Sequence, residues 1–334
     1  MEIIPFPHER ALRIVLPGGS GQVGQMLARH FQERGHLVTV LTRGPYTAPW
    51  QTVHWDAEHR GAWIETLEGA DVCINLAGRN VNCRYTPANR KAIYDSRIQS
   101  TQLLNQVLGE LTDPPRLWLN ASAATIYRRV LDGKNDLPVD ETSAVVDGSE
   151  PETEGWSERR GFSSRVARDW EAAFFETETP RTRKVALRSA VTFSPTPGNV
   201  FAVLSNLVRL SLGGKQGNGR QFVTWIHETD YARAVEFIIA HEGLEGPINI
   251  AAPNPLPNRE FMAGLRDAWN MPNGFPAPSL AIHLGALLMR TEAELVLQSC
   301  RAVPGRLLEA GFAFEFPEWA EAAEDLVMQW RNRE

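Results

Sequence analysis

Residues 12–35 read LRIVLPGGSGQVGQMLARHFQERG, and this stretch decides the fold. Leu12 to Leu16 is a short apolar run of strand type. Gly18, Gly21 and Gly24 follow in GxxGxxG spacing, and Val23, Met26, Leu27 and Phe31 then recur at helical spacing up to Gly35, a helix C-cap by type. Glycines between a strand and a helix allow a tight turn and close approach of a ligand to the backbone. The free N–H groups of the helix start attract a pyrophosphate. Gly18, Ser20, Gly21, Gln22, Val23 and Gly24 are therefore the expected contacts of a dinucleotide. A tight turn without ligand is the alternative for such a motif, and the strand before it and helix after it speak for the dinucleotide.

Working outward, Leu37 to Leu41 reads as a second strand, Thr52 to Trp55 as a third, and Val72 to Leu76 as a central strand that is apolar on both faces. Pro87 sits just inside a long helical pattern containing Ile93, Ile98, Leu103, Leu104 and Val107, and Leu117 to Ala121 is a fifth strand. The alternation predicts an α/β fold, a Rossmann-like doubly wound parallel sheet. Residues 130–160 are acidic and rich in Gly, Ser and Pro, the composition of a surface loop or lid. A helix from Phe162 to Phe175, a strand at Val185 to Leu187, and helices near 200–212 and 230–240 complete the pattern. The expected division is a dinucleotide domain over 1–190, loop included, and a smaller mixed α/β substrate lobe over 191–334, some of whose elements return to the main sheet.

The end of the second strand discriminates between cofactors, because an acidic residue there hydrogen-bonds the ribose and repels a 2′-phosphate. This chain has Thr42 and Arg43, and a guanidinium pairs with phosphate, so NADP(H) is favoured over NAD(H). Asp56, after the third strand, is either an acceptor for the adenine amino group or a turn residue. The remaining composition excludes other classes. A net charge of −6, with no Lys/Arg-rich run, offers nothing to a nucleic acid. The first ten residues carry Glu2, Pro5, Pro7 and Glu9 rather than a signal peptide, and the apolar Leu280 to Met289 is too short to cross a membrane. Three cysteines and eight histidines show no metal-ligand spacing, which suits a reducing cytoplasm and implies no metal.

These features resemble the extended short-chain dehydrogenase/reductase superfamily, and specifically its atypical YfcH-like epimerase-family branch. The resemblance is carried by PGGSGQVG, NLAG at Asn75 to Gly78, SRIQST at Ser96 to Thr101, SAATIY at Ser122 to Tyr127 and LRSAV at Leu187 to Val191. It continues through GGKQGNGRQFVTWIH to His227, GPINIAAP at Gly246 to Pro253, and the tail VPGRLLEAGFAFEFP at Val303 to Pro317. It implies that Leu76, Ala77 and Gly78 line the adenosine side and that Arg97 reaches the dinucleotide, with an interhelical ion pair as the alternative for Arg97. It also implies a Tyr/Lys pair, which counting back from Glu171 places at Ser163 and Ala167, or in the neighbouring register at Phe162 and Val166. Neither register holds the pair, and Ala167 stands beside the cofactor in the lysine's place.

Ser122 resembles the substrate-positioning serine. Tyr127, flanked by Arg128 and Arg129, is the candidate substitute acid, with a structural hydroxyl as its alternative. His227 is a second candidate acid, or else a packed histidine bonded to backbone. Val223 replaces an arginine that holds a diphosphate in sugar-nucleotide relatives, and Arg220 is left as an anion contact. Trp225, Phe201, Phe312 and Phe314 either wall an apolar pocket or belong to the core. Two functions follow: an NADP(H)-dependent oxidoreductase or epimerase-like enzyme with a displaced proton donor, acting on a small molecule, or a non-catalytic dinucleotide sensor. A homodimer is compatible with either.

Overall fold

The computed structural model describes residues 10–127, 137–143, 161–288, 292 and 297–333. The apolar runs become strands β1 (Arg13–Pro17), β2 (Leu37–Thr42), β3 (Gln51–His54), β4 (Val72–Asn75), β5 (Leu117–Ala123) and β6 (Arg183–Ser189). The later strands are β7 (Val191–Phe193), β8 (Phe222–Val223), β9 (Trp225–His227), β10 (Gly246–Ile250) and β11 (Leu256–Pro257). Seven of them form one parallel sheet in the order β10-β6-β5-β4-β1-β2-β3. The strand order reverses between β4 and β1, the point at which open α/β sheets bind ligands beyond their carboxyl ends.

Helices cover both faces, which is why β4 is buried at every position. On one face, Ile14, Leu16, Ile74, Leu119 and Leu187 pack against Leu27 and Phe31 of α1 (Gln22–Glu33). Val235 and Ile238, from the helix Glu228–Ala240, share that layer. On the other, Val15, Cys73 and Trp118 meet Leu104 and Val107 of α2 (Pro87–Glu110) and Phe174 of α3 (Phe162–Phe175). A separate cluster of Phe193, Phe201, Trp225, Phe261, Trp319 and Leu326 joins α4 (Val200–Arg209), β9 and two later helices, α6 (Asn258–Ala268) and α9 (Trp319–Arg331). Between α4 and α6 lies α5 (Glu228–Ala240), and α7 (Ser279–Leu288) and α8 (Gly305–Glu309) precede α9.

Gly35 ends α1 in the left-handed region at φ 81°, as its type required. The strand expected at Val185 to Leu187 runs longer, Arg183–Ser189, because its ends are polar residues with inward work. Arg183 donates to the carbonyls of Ile238 and Leu244, and Arg188 enters a buried network described below. The helix near 200–212 stops at Arg209, and Ser211 turns to φ 61°. Most of the stretch 130–160, and with it Arg128 and Arg129, lies outside the described residues. Among the described residues no helix is long and apolar enough to cross a membrane.

Candidate functional site

The glycine turn folds against the loop that follows β4. Gly18 has φ 74°, and a Cβ there stands 2.7 Å from the Cα and N of Ala77; a Cβ on Gly24 stands 2.4 Å from Gly19 Cα. These two are glycines because the backbone allows nothing else. Gly21 differs. Its φ of −72° and ψ of 171° suit any residue, and a Cβ meets only Gly18 O at 3.7 Å. Gly21 is also the N-cap of α1, which has no side-chain cap and no acidic residue in its first turn. Its glycine therefore answers to something outside the chain, and exposed amides at a helix start fit a phosphate.

The neighbouring residues frame this cradle. Thr42 at the end of β2 donates to Ser20 Oγ at 3.1 Å, and Gln25 holds the Ser20 carbonyl at 2.8 Å. Gln22, exposed, reaches the carbonyl of Pro197 at 3.3 Å, and Val23 is half-buried. Arg43 is exposed and has no hydrogen-bonding or ionic partner among the described residues. Leu76 and Ala77 bond to Pro17 O and Asn75 Oδ1, which fixes the loop beneath the turn, and Gly78 is exposed beside Arg97. Arg97 donates to the carbonyls of Ile93 and Arg79 at 2.9 and 3.1 Å and lies over the Trp170 ring at 5.1 Å. Burial pulls its pKa down to about 10, so it stays cationic at neutral pH. It has no acidic partner among the described residues, so the ion-pair alternative is not what the fold builds.

Asp56 is occupied by its own turn. Its carboxylate accepts from the amides of His59 and Glu58 at 2.8 and 2.9 Å and from the His59 ring at 2.7 Å. Those bonds, the His59 amide first, hold the carboxyl well below its ordinary range. The turn reading thus accounts for Asp56 without a ligand.

The substrate-positioning serine and the two candidate acids are all committed internally. Ser122 donates to Glu171 Oε1 at 2.6 Å, Arg188 grips both Glu171 oxygens at 2.8 and 2.7 Å, and Arg188 also donates to the Tyr127 hydroxyl at 2.5 Å. Successive residues of a strand face opposite sides. Ser122 therefore shares a face with Trp118, which packs in the α2/α3 layer, and the strand-end residue on the other face is Ala123, which has no hydroxyl. Tyr127 is 1% exposed, and burial, opposed by Arg188, pushes its pKa up to about 12. A phenol so held is a weaker proton donor than a free one, and the contact to Arg188 fits the structural-hydroxyl alternative.

His227 is fully buried and caps α5: its Nδ1 accepts from Thr229 N at 3.1 Å, and its Nε2 faces Asp325 Oδ2 at 3.1 Å. The first bond places the ring proton on Nε2, directed at Asp325. That bond lowers the Asp325 pKa. Of its two readings, the packed histidine bonded to backbone is the one the fold builds, and the ring also fastens the C-terminal helix. Ala167 is buried among Ala124, Tyr127 and Ala302. Arg220 is exposed, and Trp225, Phe201 and Phe312 are core residues rather than pocket walls, with Phe314 packed at the core's margin. The sequence reading missed the Glu171–Arg188 pair. Its signal was a charged residue inside the apolar run VALRSAV.

No group of three potential metal ligands forms among the described residues. A parallel doubly wound sheet with an uncapped glycine turn at its switch point defines a dinucleotide-binding α/β protein. The chain belongs to the NAD dependent epimerase/dehydratase family, whose model matches residues 14–251; residues 277–326 match a domain of unknown function. It is 30% identical over 311 residues to an epimerase family protein of Mycobacterium leprae, covering 92% of this chain and 94% of the relative. It is 30% identical over 320 residues to the epimerase family protein SDR39U1 of Bos taurus, covering 95% and 100%. Among solved structures it is similar to human epimerase family protein SDR39U1, crystallised with NADPH, at a TM-score of 0.81 and 27% identity over 95% of this chain and 99% of that one.

Proposed function

We propose that this chain binds NADP(H) at the Gly18–Gly24 turn and works as an oxidoreductase or epimerase-like protein on a small molecule. The observation that carries the reading is Gly21, a glycine that the fold does not require, at the open start of α1. Thr42 and the unpaired Arg43 at the end of β2 support the 2′-phosphorylated cofactor, and Arg97 supplies a second cation near the loop after β4. The likeness to a human protein crystallised with NADPH supports the same choice. When bound, the nicotinamide supplies or accepts the hydride, and the chain contributes binding and orientation. The acidic chain, without a basic run, fits a cytoplasmic protein acting on metabolites rather than nucleic acid.

A second reading, a non-catalytic dinucleotide sensor, is favoured by one observation: Ser122, Tyr127 and His227 are all engaged by internal partners. Fluorescence titration of wild type and Arg43→Ala with NADPH and NADH tests the cofactor. A guanidinium–phosphate contact contributes roughly 1.5–3 kcal/mol, about ten- to a hundredfold in Kd, and the loss is expected for NADPH only. Equal wild-type affinities for the two cofactors would overturn the NADP(H) assignment.

A further inference from the structure

The turn after α4 and the stretch around Phe275 hold each other by their backbones. Phe275 N donates to Ser211 O at 2.8 Å and Gly214 N to Phe275 O at 3.1 Å; Ala277 N donates to Lys215 O at 3.0 Å and Gly217 N to Ala277 O at 2.8 Å. The two stretches run so close that a Cβ on Gly274 would stand 2.8 Å from Gly214 N. Arg266 of α6 donates to Gly213 O at 2.9 Å and ties the pair to the lobe. Since α7 begins two residues after Ala277, Leu210, Leu212, Phe275 and α7 belong to one stretch of surface.

What this surface shows to water is apolar. On α7, Leu280, Leu284 and Leu287 recur at i, i+4 and i+7, a single helix face, with the half-buried Ile282 on the opposite one. These three, with Leu210, Leu212 and Phe275, are each 48% to 73% exposed. At roughly 150–200 Å² for a free large apolar side chain, they leave on the order of 600–700 Å² of apolar surface in water. The largest such patch on a monomer is about 300–600 Å², whereas each side of a standard protein–protein interface gives about 800 Å², polar rim included. Residues 271–288 also carry no Asp, Glu, Lys or Arg, in a chain in which those make up 22%. Depletion of charge marks the centre of an interface.

The same chemistry selects the occupant. A lipid surface is disfavoured, because a chain of net charge −6 offers only Lys215 within 210–217 and no cation within 271–288 to anionic headgroups. A charged partner protein finds nothing here to pair with. A second copy needs no complement: across a two-fold axis an uncharged apolar surface meets its own kind, and such isologous pairing is the commonest form of oligomer.

We propose that the surface formed by Leu210, Leu212, Phe275 and the Leu280/Leu284/Leu287 face of α7 pairs with the same surface of a second copy of this chain, making a homodimer. The proposal goes beyond the cofactor reading and does not depend on it.

Sedimentation velocity of the full chain between about 0.1 and 100 µM tests this; the wild type should become dimeric with a Kd of about 1 µM or below. Leu280→Glu combined with Leu284→Glu should weaken dimerisation more than about a hundredfold. The urea midpoint of the dilute protein should hardly move, because both side chains are exposed in the single chain. In wild type, amide hydrogen exchange over α7 should slow from dilute to concentrated solution, which reads the same surface without a variant. A wild type that stays monomeric, a dimer that survives both glutamates, or α7 exchange that ignores dimerisation overturns the proposal. Binding of the monomer to phosphatidylserine-containing vesicles that the double variant abolishes overturns it in favour of a lipid surface.

Discussion

Replacing Gly21 with alanine should separate the fold's needs from the ligand's. In the unliganded chain the added methyl meets only Gly18 O at 3.7 Å, and its backbone at φ −72° suits alanine. The substitution narrows the unfolded ensemble, worth about 0.4–1 kcal/mol, against a comparable preference of the N-cap for glycine over alanine, so stability should change by less than about 1 kcal/mol. The same methyl stands in front of the free amides at the start of α1. Losing two amide–phosphate bonds at roughly 1.5 kcal/mol each removes about 3 kcal/mol, more than a hundredfold in Kd. Gly18→Ala should behave oppositely. A left-handed alanine costs about 1–2 kcal/mol, and its methyl overlaps the Ala77 backbone at 2.7 Å, which cannot swing aside. Urea unfolding midpoints of the ligand-free proteins and NADPH fluorescence titrations measure both effects. A Gly21→Ala protein that binds NADPH like wild type, or that is destabilised as much as Gly18→Ala, would refute the cradle.

Glu171→Gln leaves Arg188 buried with half its partner, and breaking a buried pair of this kind costs about 3–5 kcal/mol; the urea midpoint should fall accordingly, whereas Glu171→Gln with Arg188→Met should recover part of the loss. His227→Ala should cost about 1 kcal/mol through the lost α5 cap and leave the Kd for NADPH unchanged; a large change in that Kd would restore His227 to the site. Asp325 has a folded pKa lowered chiefly by its bond to His227, so its stabilisation is complete above the unfolded carboxyl value, near pH 4, and is lost as pH falls through the lowered value. The stability gap between wild type and Asp325→Asn should therefore be full at pH 7 and close on acidification below pH ~4; a gap independent of pH would dismiss the ionised contact.

The sheet was legible because apolar strands and amphipathic helices announce themselves by period, and the glycine turn because its steric demands are local. The surroundings of the candidate catalytic residues were not. β5, LWLNASA, puts Asn120 and Ser122 on one face, but both faces of the strand are covered, so the alternation does not say which face meets a ligand and which meets Glu171. Tyr127 stands beside two arginines in sequence, as an acid or a structural hydroxyl, but an arginine that touches it is Arg188, 61 residues on. His227 was weighed as an acid or a packed residue, and the partner that settles its geometry, Asp325, lies 98 residues away. Contacts at such separations leave no local pattern.

The tail was read from the sequence as a family mark, and its physical role emerges from what it satisfies. Asp230, buried in the first turn of α5, accepts from the amides of Glu315 and Phe316 at 2.8 Å each, besides its bond to Arg233. Asn249 on the edge strand β10 donates to Val303 O, and Glu141 accepts from the amides of both Asn249 and Arg306. Burial raises the Glu141 pKa, so those two amides are what keep it tolerable there. Each of these polar groups belongs to the main fold or its loop and is completed by the tail. A buried carboxylate without such donors costs several kcal/mol, so the tail folds as part of the same cooperative unit as the sheet. Its placement across the end of β5, where Cys300 donates to Ala124 O, is then as fixed as the glycine turn itself.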